Sequence, residues 1–230
     1  MMLLNPTGGL IGGDYLRTNI LLGPGTHVCM TTPSATRVYR TDGPPVIQET
    51  TIRLEEDAVL EFIPEHVIPH PGSALRQSLR AEMAPGSCLI LNDGFAAGRV
   101  ARNELWQFQE LSSSTEILLG DRLVYLNRTR IVPSERIPLG LGTMEGFHYT
   151  ANLTAFSDRF NEWPKLVDEL ASNIDAIPAI RGGASETAHS GCIVRLLAPA
   201  AQDLTSATQK LWALVRGRLL QLPPLDLRKY

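Results

Sequence analysis

At 230 residues, with 43% apolar and 20% charged side chains, the chain can bury a sizeable core and has the balance of an ordinary globular protein. A formal net charge of −3 leaves no basic stripe for phosphates, which argues against nucleic acid as a partner. No apolar run approaches the roughly 20 residues that cross a bilayer, so no membrane partner is expected either. Cys29, Cys88 and Cys192 are odd in number and far apart, giving neither a disulfide framework nor a CxxC knuckle and fitting a reducing cytoplasm.

The chain opens on Asn5-Pro6-Thr7-Gly8-Gly9-Leu10-Ile11-Gly12-Gly13-Asp14. Glycine reaches positive φ without steric cost and lets backbones approach closely, so Gly8, Gly9, Gly12 and Gly13 predict a tight loop pinned by Leu10 and Ile11. From there to about residue 130, short strands alternate with turns. Leu16, Thr18, Ile20 and Leu22 keep period two, Thr26 to Thr32 is β-branched, and Val46 to Leu54 alternates from Thr50 onward. Ala58 to Ile63, Leu75 to Met83 and Ser87 to Leu91 continue the series, interrupted by a Pro-rich loop from Pro64 to Gly72. From Asn92-Asp93-Gly94 the glycines continue through Gly98-Arg99, which puts Asp93 at a turn or strand start. Glu104 to Phe108 and Thr115 to Leu119 read as short strands, Gly120-Asp121 as a hairpin turn, and Arg122 to Val132 as the last long β stretch.

Three units share a form of turn, small residue and apolar strand: Gly23 to Val28, Glu56 to Leu60 and Ala84 to Leu89. A spacing of about thirty residues suits a strand pair per unit, which predicts a sandwich or a solenoid-like β coil. The character changes near residue 160. Trp163-Pro164 opens a helix with Leu166, Leu170 and Ile174 on one face. Arg181 to Ser185 reads as a loop and Cys192 to Leu197 as a strand. Asp203 to Leu220 forms the clearest helix, capped by Asp203 or Thr205. The expected fold is therefore mainly β. A body of about residues 1–150 joins an α/β part of about 151–230, with about two helices, in a single domain.

Chemistry-bearing clusters are sparse. The glycine loop lacks the Gly-Lys-Ser/Thr of a phosphate cradle and precedes a strand, so a turn is the plain reading. Glu61, Glu65, His66 and His70 are the one dense set of metal-ligating types. Pro64, Pro69 and Pro71 forbid a helix that would align them, and the stretch reads first as a solvated loop. Asp14, Asp93, Glu104 and Glu116 could do acid–base work, yet no sequence signal pairs them, and no catalytic motif is present. Arg37, Tyr39 and Arg40 place two cations around an aromatic, which suits a solvated strand edge or a partner-binding patch. Trp163 and Trp212 read as core.

Three motifs occur together: Asn5 to Asp14, then Pro24-Gly25-Thr26-His27, then Ser34-Ala35-Thr36-Arg37-Val38-Tyr39-Arg40. With Leu60 to Glu65, Pro71 to Ala74, Asn92-Asp93, Gly98-Arg99 and Gly182 to Ser185 following in order, the chain closely resembles the urease accessory protein D family (UreD, also called UreH). The resemblance implies a cytoplasmic, non-enzymatic maturation factor. It would bind apo-urease with accessory proteins F and G, the latter a GTPase, and serve nickel insertion without a tightly bound cofactor. It further implies an internal polar passage for a transient nickel ion, onto which Asp14, Thr36 and Asp93 fall. Family members usually carry a segment of roughly fifty residues before the Gly-Gly loop, whereas this chain begins almost at the loop, so open strand edges are expected. Asn127 stands where the family pattern suggests an acid, and no metal role is carried onto His66 or His70. Two other readings compete: a β-rich binding module without a metal role, and a hydrolase or transferase using Asp14 and Asp93.

Overall fold

The computed structural model describes residues 1–5 and 7–227; Pro6 of the opening loop and the last three residues lie outside them. The body is a coil of parallel strands. Its first turn comprises β1 (Tyr15–Leu22), β2 (His27–Thr31) and β3 (Thr36–Val38), and its second comprises β4 (Val46–Leu54), β5 (Val59–Ile63) and β6 (Val67–Pro69). A third comprises β7 (Ala74–Met83) and the long β8 (Cys88–Ala96). Each strand pairs in parallel with its counterpart in the next turn, so the register runs Val28–Leu60–Leu89, the alignment the repeat predicts. β9 (Gly98–Arg99), a single 3-10 turn (Val100–Arg102) and β10 (Glu104–Leu105) then make a small ribbon. β11 (Glu110–Leu119) adds a last parallel strand beside β7 and turns back through Gly120 into β12 (Arg122–Ile131). Solenoid-like stacking is thus the observed form of the predicted β body.

Two sheets result. One is five-stranded, in the order β1-β4-β7-β11-β12. The other is eight-stranded and recruits the C-terminal third of the chain. β13 (Tyr149–Ser157) pairs antiparallel with β8, followed outward by β15 (Gly191–Ala198) and β14 (Arg181–Glu186). The C-terminal part is therefore continuous with the body. α1 (Trp163–Asp175) and α2 (Ala201–Leu220) cover the outer face of the second sheet, burying Trp163, Leu166, Leu170, Leu211 and Trp212 against Cys88, Ile90, Ala151 and Val194. Because that sheet is buried on both faces, β8 begins with the unbroken apolar run Cys88-Leu89-Ile90-Leu91.

Several local expectations are corrected. β8 continues through Asn92-Asp93-Gly94 rather than turning there, because β13 supplies a full antiparallel partner and Gly94 lets the Thr150 carbonyl pass close by. Pro33 to Arg40 and the Pro-rich loop each hold a three-residue strand, β3 and β6, which pair with each other. Pro69 is tolerated because it ends its strand. The 104–108 strand shrinks to two residues, and β11 begins earlier than expected, at Glu110. Arg181 to Glu186 is an edge strand, not a loop. α2 starts at Ala201 behind Ala200, without a side-chain cap from Asp203 or Thr205.

Candidate functional site

The inward face of the five-stranded sheet explains where the site lies. Period-two alternation sends every second residue between the sheets, and in-register pairing lines those residues up in rungs across the strands. One rung is apolar: Val46, Leu75, Leu111 and Ile131. The next two are polar, namely Gln48, Gln77, Ser113 and Thr129, then Thr50, Leu79, Thr115 and Asn127, in which Leu79 is the one apolar member. The fourth, Ile52, Ala81, Ile117 and Tyr125, is apolar again. A polar belt therefore crosses the turns of the coil between two separate apolar cores, one around Val38, Leu75 and Phe108 and the other around Ile52, Leu60 and Phe156.

The second sheet answers with a rung of its own, Asp93, Asn152 and Arg195 on β8, β13 and β15. Between the belts lies a file of cavities. The first, of about 100 Å³, is lined by Thr32, Thr36, Gln48, Thr50, Glu65 and Gln77, and reaches Asp93, Ser113 and Thr115. A narrow neck of about 20 Å³ shares Gln77, Asp93 and Ser113 with it and adds Asn127, Thr129 and Asn152. A wide mouth of about 450 Å³ shares those last three and is rimmed by Arg181, Arg195 and Glu145.

Asp93 is the carboxylate at the neck. Its Oδ1 accepts from Asn152 Nδ2 at 2.6 Å and its Oδ2 from Thr115 Oγ1 at 3.5 Å. Burial raises its pKa, against the opposing pull of those two hydrogen bonds and the Arg195 charge. Gln77 Nε2 donates to Ser113 Oγ at 2.9 Å across β7 and β11. The donor set is mainly hydroxyl and amide, with Asp93 the carboxylate of the neck and Glu65 a second carboxylate in the wall of the first cavity. Such oxygens hold a borderline cation weakly. The soft ligands Cys88 and Cys192 face the helices, and burial pushes both thiols up to about 12, so they stay protonated.

Of the residues expected in a passage, Thr36 and Asp93 line the first cavity and Asp14 lines none of the three. Asp14 Oδ2 instead accepts from the Ile11 N–H at 2.9 Å and closes the Gly12-Gly13 turn. Asp14 and Asp93 therefore share none of these three cavities. The Glu61, Glu65, His66 and His70 set is split as well. Glu61 is buried against α2 and His70 faces another basin, while Glu65 and His66 stay together, 4.0 Å apart in a side pocket with Asn92 and Thr208. Among the described residues no three His, Cys, Asp or Glu side chains converge as a metal cage. The sequence reading missed Gln48, Thr50, Gln77, Ser113, Thr129 and Asn152. Their signal was available: polar residues at equivalent inward positions of successive strands.

The glycine loop and the Ser34 to Arg40 segment turn out to be one unit. Leu10 bridges to Val38, its N–H donating to the Arg37 carbonyl at 2.8 Å, and Tyr39 Oη donates to the Gly8 carbonyl at 2.9 Å. Arg40 is tied to Asp42 at 2.8 Å, while Arg37 is exposed.

Fold and site together define a class: a parallel β-coil protein with a polar belt and a file of cavities between its sheets and helices on one outer face. Comparison with known proteins makes the assignment particular. The family model of the UreD urease accessory protein matches residues 1–229. A urease accessory protein UreD of Actinomyces naeslundii is 32% identical over 227 residues, covering 99% of this chain and 83% of that protein. The UreD of Lachnoclostridium phytofermentans is 28% identical over 229 residues, with 99% and 83% covered, and that of Arthrobacter sp. 30% identical over 236 residues, with 100% and 80% covered. The chain belongs to the UreD family of urease accessory proteins.

Proposed function

We propose that this protein acts in urease maturation as a non-enzymatic scaffold on apo-urease, together with accessory proteins F and G, and that nickel, as cargo, travels through the inter-sheet file of cavities. The observation that carries the reading is the pair of in-register polar rungs, which places a continuous polar belt where a two-sheet coil would ordinarily be apolar. A cation in transit needs donors that replace part of its water shell without trapping it. Hydroxyls and amides at Thr36, Gln48, Gln77 and Ser113 supply these, and Asp93 supplies the carboxylate at the neck.

The test is urease activation in cells or in a reconstituted mixture containing apo-urease and the F and G partners. Asp93→Asn keeps the shape and the Asn152 contact but replaces the carboxylate, and activation is expected to fall about tenfold or more, equivalent to about 1.4 kcal/mol or more at the limiting step. Co-purification of the accessory complex should be unchanged. Normal activation by Asp93→Asn and by Thr36→Val, with the complex intact, would overturn the passage. The binding-module reading predicts that outcome.

A further inference from the structure

Away from the file of cavities, the ends of β3 and β6 meet the β9 ribbon and leave a basin of about 530 Å³. Arg37, His70, Arg99 and Arg102 line it together with Tyr39, Tyr149 and the apolar Ile68. It shares no lining residue with the three cavities of that file. We propose that this basin docks a carboxylate-rich segment of a partner protein, with Arg37 and Arg102 as its charged anchors. The proposal does not rest on nickel passing through the file of cavities.

Charge is the first argument. The whole chain carries −3, yet this basin collects three guanidinium groups. Arg99 is satisfied internally by a two-pronged pair with Glu104, one prong at 2.8 Å. Arg37 and Arg102 have no carboxylate partner among the described residues. His70 reports the resulting field. Its pKa is lowered by burial first and then by Arg99, Arg37 and Arg102, with Glu104 the opposing charge. A guanidinium fork matches a carboxylate in bidentate geometry, and the Arg99–Glu104 pair shows that match already made in the same wall.

Rigidity and shape are the second argument. Arg37 stands opposite Ile68 in the β3–β6 register, and the Leu10 N–H holds its carbonyl from the other side. Tyr39 is fixed by its bond to the Gly8 carbonyl and by an edge-on contact with the His70 ring at 4.9 Å. Gly98, at φ +140, leads directly into Arg99, and a Cβ there would strike the Glu104 carbonyl. A held arginine beside tyrosines and an apolar side chain has the composition of an interface anchor. The acidic balance of the rest of the molecule opposes long-range capture of a polyanion, so a short acidic segment of protein suits the basin better than nucleic acid.

The experiment uses the full chain and a fluorescein-labelled peptide of alternating Glu and Gly, read by fluorescence anisotropy. A Lys-Gly peptide, inorganic phosphate and a single-stranded oligonucleotide serve as comparators. Arg37→Glu combined with Arg102→Glu should weaken the acidic peptide about tenfold or more and raise affinity for the Lys-Gly peptide, while the paired Lys variant, which keeps the charge but loses the fork, should bind between the parent and the Glu variant. Added salt should weaken binding to the parent chain. Affinity should rise as pH falls through the titration of His70, because a bound carboxylate favours the imidazolium. Both substituted side chains are exposed, and thermal melts that match the parent's control for folding. Equal affinity in the Glu variant would overturn the proposal. So would tighter binding of the oligonucleotide, or full displacement by equimolar phosphate.

Discussion

At the scale of single residues, Glu61 shows how far apart in sequence a decisive pair can be. It is fully buried in β5 and receives Trp212 Nε1 at 2.8 Å and the Arg216 guanidinium, with His27 Nε2 a further 2.8 Å neighbour. The partners on α2 lie 151 and 155 residues away along the chain. The local sequence puts this acid in a strand and the nearby Glu65 in a loop but does not show that Glu61 is buried, which is why the two group together as metal-ligand candidates on paper. Alternation within an apolar strand sends Glu61 toward the helices, and burial there demands a cationic partner. Arg216→Met should strand the carboxylate and lower unfolding stability by about 3–5 kcal/mol. Glu61→Gln in the same background should restore much of that loss, because the amide no longer needs a counter-charge. Urea denaturation midpoints of the two variants check this, and equal destabilisation by both would show that the charge is not what matters.

At the scale of elements, the opening glycines divide by mechanism. A Cβ at Gly9 would sit 2.7 Å from both the Arg37 carbonyl and the Tyr39 ring, and one at Gly12 would sit 2.7 Å from Thr41 Cγ2. Gly13 meets nothing within 4 Å but holds φ at +88. Gly9→Ala should therefore push the loop off β3 and cost more stability than Gly13→Ala, whose strain is about 1 kcal/mol. Gly13→Asn should be milder still, since asparagine tolerates positive φ. Thermal melts of the three variants rank them, and Gly13→Ala proving the worst would refute the packing account. The repeat that set the coil was legible because Val28, Leu60 and Leu89 each follow a turn at the same offset. β3, β6 and β14 were not, because a three-residue strand with proline or a glycine-rich edge strand has no periodicity to read. Only the neighbouring strand makes them β. The run through Asn92-Asp93-Gly94 misled for the same reason: its turn chemistry was overridden by pairing with β13.

At the scale of the whole molecule, the polar belt is a cost that the fold carries. A coil of this width could bury a continuous apolar core between its sheets, yet two of its rungs forgo that burial and split the core in two. Their hydroxyl and amide groups pair within the belt where they can, Gln77 with Ser113, Thr115 with Asp93 and Asn127 with Arg195. Groups of this kind contribute little net stability even when paired. If the belt exists for transit, stability and activity should respond to it in opposite directions. Gln77→Leu combined with Ser113→Ala removes both partners of one hydrogen bond, so neither is left unsatisfied. The double variant should fold as well as the parent or better, with an equal or higher urea midpoint, because apolar surface replaces polar surface between the cores. Urease activation should nevertheless fall, because an apolar collar would then interrupt the belt between Thr36 and Asp93. A fall in stability matching the fall in activation would mean that the belt is structural. Unchanged activation in a stabilised variant would mean that the cargo takes another route.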